Sequence, residues 1–115
     1  KSLNAELNNY IDQFNGKEVV VWGAGHQSLT IISLSKIYER ISYIVDSAKF
    51  KQNKFTSGTN IKITPPEFLN LEKPDALIII AAGYSDEVKK IVLEQYKFIK
   101  NIAIVREDNL EVFSA

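Results

Sequence analysis

A chain of 115 residues is one domain, long enough to bury a single core and too short for two. Its composition is that of a soluble globular protein, 45% hydrophobic and 24% charged, and Lys plus Arg balance Asp plus Glu at 14 each, which leaves no electrostatic footprint for nucleic acid or an anionic membrane. The absence of cysteine excludes disulfides and a thiol nucleophile, and with a single histidine it argues against a zinc site.

The first segment, residues 2–17, places Leu3, Leu7, Tyr10, Ile11 and Phe14 on one helical face, with Ser2 as its N-cap and Gly16 positioned to end it. Val19 to Trp22 form a short apolar run, the mark of a strand covered on both faces. A broad apolar stripe through Leu29, Ile31, Ile32, Leu34, Ile37 and Tyr38 predicts a helix over residues 26–40, and a second strand follows at 41–46. Residues 47–60 are polar and show neither period. A brief third strand is expected at 61–63, and then a helix start with Thr64 as N-cap, Pro65 in the first helical position and Glu67 closing a capping box.

Ala76 to Ala82 read as the most buried strand. The run is far short of a membrane span and no signal-peptide pattern opens the chain, so a cytoplasmic setting is the expectation. Ser85 caps the next predicted helix, whose first turn carries Asp86 and Glu87 and whose inner face holds Val88, Ile91, Val92 and Tyr96. Residues 101–105 are a last core strand, and Leu110 to Phe113 could add an edge. Short apolar strands alternating with helices predict an α/β fold, a Rossmann-like three-layer αβα sandwich with a mostly parallel sheet of about five strands.

In such a fold ligands bind beyond the carboxyl ends of the strands, and here the first strand runs into Gly23-Ala24-Gly25. Glycine at this turn lets a phosphate approach the backbone, and the following helix start offers N–H groups and a positive dipole end. Gly23 and Gly25 satisfy two positions of G-x-G-x-x-G, with Ser28 in the third. Asp46 ends the second strand, where a dinucleotide fold keeps an acid for ribose hydroxyls. Two readings stand at this point: a nucleotide or nucleotide-sugar site, or a tight strand-to-helix corner with Asp46 capping the next loop. His26 is either an acid-base or phosphate ligand at the helix start or a hydrogen-bonded first-turn residue. Ser28 lies two residues from His26, but no third group is evident to orient a dyad, which argues against nucleophilic catalysis.

Several further motifs occur in order: Val45-Asp46, Lys51-Gln52, Gly58-Thr59, Ile61 and Ile63, Pro66-Glu67, and Pro74-Asp75. With the glycine turn, this series, from about residue 18 to 105, resembles the C-terminal domain of the S-adenosylmethionine-dependent C-methyltransferases that act on nucleotide-linked deoxysugars. The chain departs from that pattern at Asn53, Ser57 and Lys62, and at Gln27 and Ser28, where some members have Lys-Gly. The resemblance implies a Rossmann-like domain that packs against a methyltransferase domain of the same chain and helps to hold the sugar nucleotide. S-adenosylmethionine and the catalytic base would lie in a separate central domain, so that this domain would not be catalytic alone. The chain begins at Lys1 and contains no methionine, and it is expected to be a piece of a longer methyltransferase.

The implied substrate-binding set is Gly23, Ala24, Gly25, His26, Gln27, Asp46, Lys51, Gly58, Thr59, Gly83 and Tyr84. A two-phosphate tail would lie at Gly25 and His26, Lys49, Lys51 and Lys54 would neutralise it, and Tyr84 would stack on a base or sugar. The same lysines also fit a solvated loop, and Tyr84 fits an aromatic covering a helix start. The alternative function is a free-standing nucleotide-binding module with NAD or a sugar nucleotide at Gly23 and Asp46 on a ribose; purely structural support is a third.

Overall fold

A computed structural model describes residues 2–114. Helix α1 (Leu3–Asp12) starts as its sequence requires, because the Ser2 hydroxyl accepts the Ala5 N–H at 3.2 Å. Strand β1 (Val19–Trp22) leads through the glycine turn into α2 (His26–Ser35). Lys36, with a left-handed φ of 61°, ends α2, and a single 3-10 turn over Ile37–Glu39 completes a segment that reads in sequence as one helix. Then come β2 (Ile44–Val45), β3 (Lys54–Phe55), β4 (Lys62–Thr64) and the short α3 (Phe68–Glu72). The chain finishes with β5 (Ala76–Ile79), α4 (Ser85–Gln95), β6 (Asn101–Val105) and β7 (Leu110–Ser114).

The strands form one seven-stranded mixed sheet in the order β3-β4-β2-β1-β5-β6-β7. The five strands from β4 to β6 are parallel, and β3 and β7 pair antiparallel at the two edges. The expected parallel sheet of about five strands is thus the centre of a larger one. Strand β7 occupies the edge foreseen at Leu110 to Phe113. Strand β3 falls in the stretch that shows no period in sequence, and both of its residues are exposed, so burial imposes no alternation on it.

Side chains of a strand alternate between faces, and here both faces are covered. Val19 and Val21 of β1 join Leu7, Ile11 and Ile32 in a core beneath α1 and α2. Val20 and Trp22 join Leu69, Val88 and Val92 beneath α3 and α4. Strands β5 and β6 divide in the same way, Ile78 and Ala103 to one core and Leu77 and Ile104 to the other. This double burial is why the central strands read as unbroken apolar runs.

Two expected caps are not caps. The Thr64 hydroxyl donates to the Ile44 carbonyl at 3.2 Å inside the sheet, and α3 begins only at Phe68 with no side chain capping it. Ser85 is the first residue of α4, and its buried hydroxyl accepts the Ala81 N–H at 3.2 Å, fastening the helix start to the end of β5.

Candidate functional site

The strand order reverses at β1. The chain passes from β1 through α2 to β2 on one side and later returns to β5 on the other. Helices α2 and α4 depart from the carboxyl ends of β1 and β5 to opposite faces, so a crevice opens between them, where open α/β sheets take their ligands. A cleft of about 430 Å³ lies there. Trp22, Ile80 and Val88 give it an apolar floor, and Gly23, Gly25, His26, Gln27, Ser28, Asp46, Ser47, Lys51, Ala81, Ala82 and Tyr84 complete its walls.

The two glycines of the turn answer to different causes. Gly23 has φ of +133°, and a Cβ there would come within 2.0 Å of the Ile80 carbonyl oxygen. Its own N–H donates to the Val45 carbonyl at 2.8 Å, so β1 is held between two neighbours where it ends. Gly25 has φ of −77°, open to any residue, and a Cβ on it would meet nothing within 4 Å. It is the N-cap of α2, and no side chain caps that helix. The first N–H groups of α2, with the positive end of its dipole, therefore face the cleft without a capping side chain.

Ser28, in the place of a third glycine, is buried and donates its hydroxyl to the Gly23 carbonyl at 2.6 Å, bracing the turn. That bond gives Ser28 a structural part and leaves His26 exposed on the first turn of α2. The Asp46 carboxylate turns inward: one oxygen accepts the Ala24 N–H and the other the Ala48 N–H, both at 2.8 Å. Lys51 stands on the facing loop with its ammonium 5.6 Å from the centre of the Phe50 ring. Tyr84 on the opposite rim is 71% exposed. Between β5 and Tyr84, Ala82 holds a left-handed φ of +48°, a conformation that costs a non-glycine residue on the order of 1 kcal/mol.

Of the residues singled out in sequence, Gly23, Gly25, His26, Gln27, Asp46, Lys51 and Tyr84 line this one cleft. Ala24 is buried behind the turn and contributes its N–H to Asp46. Gly83, Lys49 and Lys54 are exposed and do not line the cleft. Gly58 and Thr59 lie apart, in a smaller hollow of about 320 Å³ with Leu29, Ser33 and Tyr38. The apolar floor and Ala82 escaped the sequence reading; the one available signal was Trp22, the single tryptophan, at the end of a strand next to the turn.

Burial raises the phenols of Tyr10 and Tyr43, the second helped by Glu18 and Glu72, and neither lines the cleft. Among the described residues no group of three or more His, Cys, Asp or Glu side chains is placed to hold a metal ion. Nor is any helix among them long and apolar enough to cross a membrane. The cleft thus combines an uncapped helix start, one facing cation and an apolar floor, an arrangement that suits an anion carried on a flat or apolar body.

No curated protein matches the chain. Among solved structures the chain is similar in fold to UDP-D-quinovosamine 4-dehydrogenase from Vibrio fischeri, with a TM-score of 0.56, 16% identity, and 78% of each chain covered. The model of one family, described as the C-methyltransferase C-terminal domain, matches residues 1–110. The crevice at the glycine turn therefore sits in a chain that belongs to the C-methyltransferase C-terminal domain family.

Proposed function

We propose that this domain positions a sugar nucleotide for a C-methyltransferase and performs no methyl transfer by itself. The observation that carries the reading is Gly25. Neither its backbone angle nor its surroundings require glycine, yet a residue able to cap α2 is missing where the helix start faces the cleft. A diphosphate there would receive the first-turn N–H groups and the helix dipole, with Lys51 facing it and Tyr84 on the rim for a base or sugar. The fold shared with an enzyme named for a sugar nucleotide supports the same ligand class.

The cleft does not suit S-adenosylmethionine. A sulfonium cation gains nothing from the positive end of a helix beside a lysine. We assign the methyl donor and the catalytic base to a separate domain of the same chain, against which this one packs. This domain's share of the reaction is then to hold the acceptor carbon in line, an effect of position rather than of chemistry.

The test is a thermal-shift series with nucleotide sugars, NAD and S-adenosylmethionine. Ligand at a hundred times its dissociation constant stabilises a fold by roughly 2.7 kcal/mol. A shift with dTDP- or GDP-sugars alone, lost in Gly25→Asp, is the expected outcome. A shift with NAD instead would turn the domain into a free-standing dinucleotide module, and a shift with S-adenosylmethionine would move the donor site here.

A further inference from the structure

We infer that Asp46 is a positioning residue: its carboxylate latches the loop that carries Lys51 to the glycine turn, and so places the Lys51 ammonium opposite the start of α2. The inference rests on the reading of the cleft as a diphosphate site. In a dinucleotide fold the acid at this point of the second strand holds ribose hydroxyls. Here each of its oxygens holds a backbone N–H instead.

Asp46 is itself anchored in the sheet, its N–H donating to the Thr64 carbonyl at 3.1 Å. One carboxylate oxygen takes the Ala24 N–H of the turn, and the other takes the Ala48 N–H at the head of the loop. The Asp46 carbonyl accepts the Gln52 side-chain amide at 2.9 Å, where the loop closes. Between these points runs a single 3-10 turn, Lys49–Lys51, with the Lys51 N–H on the Ala48 carbonyl at 3.0 Å. Lys51 is therefore carried on a short segment fastened at both ends to one residue, and that residue grips the glycine turn. The same bonds account for an acid beside an anion site, because two N–H donors offset its charge. An asparagine cannot replace it, since its amide nitrogen would face one of those donors.

The test is calorimetry on the full-length protein with inorganic pyrophosphate and with UDP, GDP and dTDP, using wild type, Asp46→Asn, Lys51→Gln and the double variant. Each single variant is expected to bind both kinds of probe about tenfold more weakly. The double variant should bind no more weakly than Lys51→Gln, because the two residues act as one unit. Hydrogen exchange should speed up at Ala24 and Ala48 in Asp46→Asn and stay unchanged in Lys51→Gln. Should Asp46→Asn not fold, Gln52→Ala loosens the same loop and must show the same lack of additivity with Lys51→Gln.

Additive losses, or normal affinity in Lys51→Gln, would overturn the latch. Loss confined to the nucleoside diphosphates, with pyrophosphate unaffected, would return Asp46 to ribose binding. If the wild type binds none of the probes while the two amides still depend on Asp46, the diphosphate reading of the cleft falls and the positioning role falls with it.

Discussion

The two ends of the sheet are built on opposite policies, and α2 shows both. At its far end the Asn8 side chain donates to the Ser35 carbonyl at 3.1 Å, so the helix is closed by a side chain from α1. At its start no side chain caps it. The amino end of the sheet continues the first pattern. The Glu18 N–H donates to the Asp75 carboxylate at 2.9 Å, the Asn101 side chain donates to the Asp75 carbonyl at 3.1 Å, and Arg40 pairs with Asp12. At the carboxyl end stand Gly25, the left-handed Ala82 and the exposed Tyr84. Every α-helix leaves orphan groups at both of its ends. The choice of side chains decides which end is closed and which is left open.

Substitutions should break or sharpen that contrast, and their effects on stability rank as follows. Gly23→Ala attacks the tightest backbone approach at the open end. It combines a left-handed strain with a clash against the Ile80 carbonyl and should destabilise by about 3 kcal/mol or more in urea unfolding. An unchanged midpoint would mean that the turn yields easily. Asp75→Ala opens the closed end by removing the acceptor of the Glu18 N–H and should cost about 1 kcal/mol, with nucleotide affinity unaltered. A loss of affinity there would show that the two ends are coupled.

Gly25→Asp closes the open end. Its carboxylate caps α2, so stability should change by no more than about 0.5 kcal/mol, in the favourable direction, while sugar-nucleotide binding disappears. Retained binding would remove the case for an anion at that helix. The smallest effect concerns pH. Desolvation first, then Glu72, raises the pKa of Glu18, so the folded state holds its proton to higher pH than the unfolded chain does. Stability on this account is full below the ordinary carboxylate range and falls as pH rises through the displaced one. Glu18→Gln should therefore raise Tm slightly at pH 7 and leave it unchanged near pH 3.5. Equal gains at both values would mean that the charge is not the cause.

The elements that sequence discloses best are those whose burial is two-sided. Strands β1, β5 and β6 announce themselves because every residue from Val19 to Trp22 and from Ala76 to Ile79 is buried. The caps divide by what each hydroxyl meets after folding. Ser2 bonds within its own helix and is legible. Thr64 and Ser85 bond to Ile44 and Ala81, and their partners depend on how strands and helix start pack, which spacing along the chain does not record. The candidate site follows the same rule. The glycine turn, Asp46 and Tyr84 lie at strand ends and could be placed from the order of elements. Gly58 and Thr59 belong to the turn between β3 and β4, and their distance from the cleft follows from an edge strand that leaves no pattern. That Asp46 caps the next loop was one of two readings of the sequence, and spacing alone could not choose it over a ribose site, because a ribose ligand and a backbone staple call for the same residue.

Far from the cleft, the Leu110 N–H donates to the Glu6 carboxylate at 2.9 Å, joining the first helix to the last strand across 104 positions of the chain. Contacts of such sequence separation form late, because the loop they close is long and its entropy must be overcome before they reward it. A ribosome delivers α1 well before the strand that fastens it. Until β7 arrives, α1 can dock on the growing sheet but cannot be locked, and the domain should acquire its full cooperativity only when synthesis of the last strand is complete.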